Sequence, residues 1–212
     1  MGQVIFAYRL TNDTGFAPCV DNNILTLACC KGGQVRKEKD VCWGLRYSIG
    51  KYAKEYPDDE IYVIGIYKNR LLYCAKATEI IEMTEYYSEE QKAKYGKRKD
   101  HIYDIKNGEL KRNNFLKHIH ADKLQYRRDK NGVYVIISNK FSYFGKNAEC
   151  IDEKMLSILP KGVGTIKYDL NNEHFEIVYN FIKEKVCFNS VLGEAHRSID
   201  KYTCTPKCAF EC

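Results

Sequence analysis

Four stretches concentrate residues able to do chemistry. In Asp13-Thr14-Gly15-Phe16-Ala17-Pro18 a carboxylate stands beside a glycine, and glycine lets a backbone approach a ligand closely. Asp13 there would bond a ribose hydroxyl or act as a base. The plainer reading is a β-turn with Phe16 tucked into the core, and spacing alone favours it. In Ala28-Cys29-Cys30-Lys31-Gly32-Gly33-Gln34-Val35-Arg36-Lys37 two adjacent thiols sit in a positive local field. Such a field lowers a thiol pKa and favours the nucleophilic thiolate. The glycines would also free backbone N–H groups to cradle an anion, although the phosphate-loop spacing is absent. The alternative is a strand end with two buried thiols.

The third stretch is Gly193-Glu194-Ala195-His196-Arg197-Ser198, where His196 would donate or accept a proton and Arg197 would grip a phosphate. A Cys30–His196 pair suits nucleophilic catalysis if the fold brings the two together. The fourth is the Cys204, Cys208, Cys212 series, three thiols at even spacing. With Cys187 or His196 they would make a four-ligand zinc site; Pro206 argues against one continuous helix there. A reduced tail is the simpler expectation, and no metal is assigned.

These stretches must be held by ordinary elements. Val4 to Leu10 has strand composition and runs into the turn Thr11 to Gly15. Ile24 to Ala28 reads as a short buried strand. Leu45, Ile49, Tyr52 and Tyr56 share one helix face, and Pro57 ends that helix. Ile61 to Tyr67 and Leu71 to Ile80 flank Lys68-Asn69-Arg70 as a hairpin. Thr84 is expected to cap a polar helix reaching Tyr95. A second hairpin spans Tyr103 to Arg112, and a basic helix covers Ala121 to Arg128. A strand at Val133 to Ile137, a helix from Asp152 to Leu159, a strand at Thr165 to Asp169 and an amphipathic helix from Phe175 to Val186 complete the list.

The 212 residues are 44% hydrophobic, enough for one core. Strands and helices do not alternate strictly, so a doubly wound parallel sheet is not expected. The predicted fold is α+β: a mixed, mainly antiparallel sheet with flanking helices, its closure into a barrel left open. One domain is expected over residues 1–198, followed by a cysteine-containing tail over 199–212. No apolar run approaches the roughly 20 residues of a spanning helix, and the first ten residues read as a strand rather than an export signal. A cytoplasmic, reducing setting is therefore expected, with most of the ten cysteines as buried small hydrophobes, Cys74 above all.

The net charge of +6 is uneven. Residues 92–130 hold 13 Lys and Arg against 5 Asp and Glu, an excess larger than that of the whole chain. A basic surface attracts polyanions. Lys97, Arg98, Lys99, Arg127 and Arg128 are the candidates for it; a solvated helix-and-loop face is the alternative.

Asp13 to Pro18, then Leu25-Thr26-Leu27-Ala28, then Cys30-Lys31 and Arg36 resemble the opening of nucleotide modification associated domain 2 proteins. The segment Glu60 to Ile66 is similar to that family's glycine-containing apolar strand. Phe141-Ser142-Tyr143-Phe144-Gly145 and Gly193 to Arg197 look like its later motifs. A proline commonly follows the Cys-Lys pair, where Gly32 stands here. The resemblance implies an association with DNA base modification in bacteria and phages. Two functions follow. In an enzyme acting on a nucleotide or DNA base, Cys30, His196 and Asp13 would carry the chemistry. Lys31, Arg36 and Arg197 would bind phosphate, Phe16 would help bind the substrate, and Tyr143 or Phe144 would stack on the base. In a non-catalytic module, loosely similar to small PUA and ASCH barrels, the same groups would hold nucleic acid, a modified base or a nucleotide signal. The partner is a nucleotide or DNA in both. No motif names a cofactor or fixes the oligomeric state.

Overall fold

A computed structural model describes residues 2–33, 35–36, 41–42, 44–96, 98–113, 123–185 and 190–196. In chain order the first half comprises β1 (Gln3–Leu10), β2 (Cys19–Asp21), β3 (Ile24–Leu27), β4 (Val35–Arg36), β5 (Val41–Cys42), α1 (Leu45–Glu55), β6 (Glu60–Tyr67), β7 (Arg70–Lys76) and β8 (Glu79–Glu82). Then follow α2 (Met83–Tyr86), α3 (Glu89–Tyr95), β9 (Tyr103–Lys106), β10 (Glu109–Arg112), α4 (Lys123–Lys130), β11 (Tyr134–Ser138) and β12 (Lys140–Tyr143). After them come α5 (Glu153–Ile158), β13 (Thr165–Asp169), α6 (Phe175–Lys185) and β14 (Ser190–Val191).

The main sheet has six strands in the order β13-β1-β6-β7-β12-β14. Its centre is the parallel pair β1 and β6, in register from Gln3↔Glu60 to Leu10↔Tyr67. These two strands read as unbroken apolar runs because both of their faces are covered. Val4, Phe6, Tyr8 and Leu10 enter one core, with Ile61, Val63 and Tyr67. Ile5 and Ala7 enter the other, with Tyr62, Ile64 and Ile66. Against the first face pack α1 and the four-stranded sheet β2-β3-β11-β8. Against the second pack α5 and α6, through Met155, Phe175, Val178 and Ile182. A third core, built on Phe16, Tyr86, Tyr87, Tyr103 and Val135, lies beneath the smaller sheet. The fold is α+β with mainly antiparallel pairing, and none of the sheets closes into a barrel.

Most expected elements occur, with local differences. The first hairpin turns on Lys68 and Asn69 alone, both in the left-handed region; Arg70 already belongs to β7. The strand expected to run on to Ile80 ends at Lys76, and Ile80 sits in β8 of the other sheet. The polar helix expected from Thr84 is two helices, and Ser88 caps the second by accepting from Gln91 N–H. Tyr56 lies beyond the last turn of α1 and is 45% exposed, so the buried face is Leu45, Arg46, Ile49 and Gly50. Cys74 is fully buried, as expected.

At the opposite end of the parallel pair from the motif loops, the Glu60 carboxylate accepts from Lys76 Nζ, Gln3 Nε2 (2.9 Å) and the Tyr62 hydroxyl (3.0 Å). Lys76 first, then Gln3, hold Glu60 down at about 2, below its ordinary 4.5. The folded-state value is depressed, so this stability is complete above the ordinary value and lost as pH falls towards 2. Glu60→Gln is expected to lower the melting temperature by roughly 2–4 °C at neutral pH, for about 1 kcal/mol at a partly screened site. In thermal melts the gap to the wild type should narrow on acidification; a gap that widens would refute the assignment.

Candidate functional site

Asp13 lies in the loop that leaves the carboxyl end of β1. It is 1% exposed, which is costly for a carboxylate unless its oxygens are bonded. They are. The Tyr143 hydroxyl reaches Oδ1 at 2.9 Å and Oδ2 at 3.0 Å. The backbone N–H of His196 reaches Oδ2 at 2.9 Å, and His196 Nδ1 reaches the same oxygen at 2.9 Å. Burial, then the charge on Asp13, push the Tyr143 phenol far up, so it stays protonated and donates to the carboxylate. An ionised Asp13 has no hydrogen to give, so Nδ1 carries the proton. In the neutral imidazole the lone pair then lies on Nε2, which has no hydrogen-bond partner among the described residues. The His196 side chain is 25% exposed.

The segment bearing His196 is strapped down along the sheet edge. β14 pairs in parallel with β12, Leu192 N–H donates to Tyr143 O, and Lys146 N–H donates to Glu194 O. Ala195 Cβ packs over Gly15, whose φ of +71° only glycine adopts without strain. The ring of Tyr67, last residue of β6, meets the His196 ring edge-on at 4.7 Å. The imidazole is therefore fixed by an acid, an aromatic edge and its own backbone.

Tyr8 joins the second motif to the first. Its ring lies beneath the Lys31 ammonium, 5.6 Å from Nζ, a cation–π contact. Burial first, opposed by the hydroxyl of Tyr73, and then the charges of Cys30 and Asp13 push the Tyr8 phenol up. Cys30 and Lys31 both have positive φ, +56° and +54°, a conformation that L-residues hold only under external constraint. The constraint is Arg46. Its buried guanidinium donates to Cys30 O (2.6 Å), Tyr134 O (2.8 Å), Asp129 O (2.5 Å) and Asp129 Oδ1 (2.6 Å). Tyr103 completes Asp129 by donating to Oδ2. Gly32 packs on the carbonyls of Arg128 and Asp129, leaving no room for a Cβ. The Cys-Lys turn and the end of α4 are thus one unit.

Several expected site residues lie elsewhere. Phe16 (2% exposed), Tyr143 (3%) and Phe144 (5%) are buried. Stacking on a base is therefore corrected for Tyr143 and Phe144, and substrate contact for Phe16: Phe16 and Phe144 fill cores, and Tyr143 serves Asp13. Arg98 is also corrected, because it is 3% exposed and not a surface cation. It pairs with Asp100 at 3.4 Å and donates to Asp21 O and Thr26 Oγ1; Asp100 in turn accepts from Tyr86 and Thr26. Lys99 and Arg127 are exposed, and Arg128 is half-buried. Lys97, Arg197, Cys204, Cys208 and Cys212 lie outside the described residues, as does the side chain of Arg36. No group of three or more His, Cys, Asp or Glu residues suited to a metal occurs among the described residues.

Tyr8, Tyr67, Arg46 and Asp129 were not foreseen. Arg46 had a signal: it precedes Ile49 by three and Gly50 by four, on the apolar stripe of α1. A model of the nucleotide modification associated domain 2 family matches residues 2–194. The chain belongs to that family. No curated protein and no solved structure matches it. In this nucleotide modification associated domain the match runs from β1 through the strap to Glu194 and stops two residues before His196. Among its described residues no helix is long and apolar enough to cross a membrane.

Proposed function

We propose that this domain acts on a nucleotide or DNA base, with His196 Nε2 exchanging a proton with the substrate. The observation that carries the reading is the bond from His196 Nδ1 to the buried Asp13. An acid that fixes the tautomer and supports the developing imidazolium is what general base catalysis asks of its partner. Lys31, held over Tyr8 beside the same loop, is the cation for a substrate phosphate. Cys30, half-exposed next to it, supplies either a nucleophile or a contact. The exposed Arg127 and the half-buried Arg128, at the end of α4 against the Lys31–Gly33 turn, extend this positive edge for a polynucleotide. The setting is a bacterial or phage system of base modification, in the cytoplasm.

Titration with nucleoside monophosphates and with short single-stranded DNA, followed by fluorescence anisotropy or calorimetry, tests the reading. Lys31→Ala is expected to weaken phosphate-bearing ligands about tenfold, the worth of one charge-assisted hydrogen bond. His196→Ala should leave binding within about threefold while removing turnover. If DNA is the substrate, its affinity should fall steeply with salt, and that of a mononucleotide only shallowly. Lys31→Ala binding every nucleotide as the wild type does, together with turnover surviving His196→Ala, would end the proposal.

A further inference from the structure

Cys29 and Cys30 are adjacent in sequence and differ sharply in setting. Cys29 is fully buried, with its Sγ 3.5 Å from Phe16 O, whereas Cys30 is partly open to solvent. Neighbouring α-carbons lie about 3.8 Å apart, closer than the roughly 4.4–6.8 Å of an ordinary disulfide. A bridge between them would be strained and readily reduced, the behaviour of a labile disulfide rather than a structural one.

We propose that this pair is a peroxide-reactive dithiol: a hydroperoxide oxidises Cys30, and Cys29 then closes a reversible disulfide onto it. In the first step the Cys30 thiolate attacks the distal peroxide oxygen. The O–O bond breaks, the sulfur is oxidised by two electrons to a sulfenic acid, and the peroxide leaves as water or an alcohol. In the second, the Cys29 sulfur attacks the Cys30 sulfur, the S–O bond breaks, and the Cys29 proton departs with the oxygen as water. Partial exposure makes Cys30 the attacking thiol, and its place next in the chain makes Cys29 the resolving one. The ring that forms includes the Cys29–Cys30 peptide, so it strains the carbonyl held by Arg46 and the backbone that holds Lys31 over Tyr8. Oxidation thereby reaches the Cys-Lys turn without touching Asp13 or His196.

The test treats the full chain with a small excess of hydrogen peroxide, blocks remaining thiols and digests with trypsin and then chymotrypsin. Cleavage after Leu27 separates Cys19 from the pair. The expected product is an Ala28–Lys31 peptide lighter by about 2 Da, unblocked at both sulfurs and restored by millimolar glutathione. Cys29→Ala should instead accumulate a dimedone-reactive sulfenic acid at Cys30, several-fold above the wild type. An unreacted Cys30, or a wild-type Cys30 that proceeds to sulfinic acid with Cys29 still a thiol, would overturn the proposal. Because the readout is a mass, it stands or falls independently of the nucleotide reading.

Discussion

Asp13→Asn is expected to reverse the tautomer of His196 and to lower turnover by roughly three to four orders of magnitude, as loss of the orienting acid does in other histidine-based sites. An amide keeps the shape of the carboxylate but not its role. Its NH2 group can face Nδ1 only as a donor, which draws the ring proton to Nε2 and removes the outward lone pair. Tyr143 and the His196 backbone N–H lose a charged acceptor as well, at a cost of about 1–3 kcal/mol in stability. The change can be read without substrate. Two-bond nitrogen–proton correlations of the His196 ring report which nitrogen carries hydrogen. The wild type should show protonated Nδ1 and bare Nε2, and the variant the reverse. An unaltered pattern would mean that Asp13 does not set the tautomer, and the proton-transfer proposal would lose its support.

The second large effect is expected at Arg46, which holds the carbonyl of Cys30. Its side chain is 0% exposed and pairs with Asp129, whose side chain is 1% exposed. Removing one partner of a buried ion pair leaves the other charge uncompensated, typically at 3–5 kcal/mol. Arg46→Ala should therefore cost roughly 3–5 kcal/mol, a fall in melting temperature of about 10 °C for a domain of this size. It also frees the carbonyl of Cys30, so the left-handed pair Cys30–Lys31 loses its clamp. Calorimetry measures the first consequence. The second is visible as weaker nucleotide binding in Arg46→Lys, which keeps the charge but not the four-bond fork. A melting temperature within about 2 °C of the wild type for Arg46→Ala would show that the guanidinium is not buried in solution.

Much of the fold was legible in the sequence because the cues were local. The run Ile61 to Tyr67 and the Lys68–Asn69 turn specify a hairpin by composition alone, and the stripe Phe175, Val178, Ile182 specifies α6. The short strands β2 and β14 were not legible: each has too few residues to show a period, and each exists because a partner strand accepts it. The site was legible by residue type but not by role. Asp13 and His196 stood out as reactive groups, yet their bond spans most of the chain. Tyr143 had the right type for a base contact and turned out to serve the acid. Arg98 carried the charge of a surface residue, but Asp100 two positions on supplied the partner that let it enter the interior. Side-chain charge marks a residue as surface only while its partners stay unknown.

The bond between Asp13 and His196 closes a loop of 183 residues, and the parallel pairing of β1 with β6 already requires the chain to return over 57. Contacts of such long reach form late. During synthesis, β1 and its acid emerge first, and the imidazole is among the last groups of the described domain to leave the ribosome. An unfinished chain can thus assemble its central strands while holding a buried acid with no base beside it. Under the proposed proton-transfer role, a truncation just short of His196 would abolish turnover with the strands still in place.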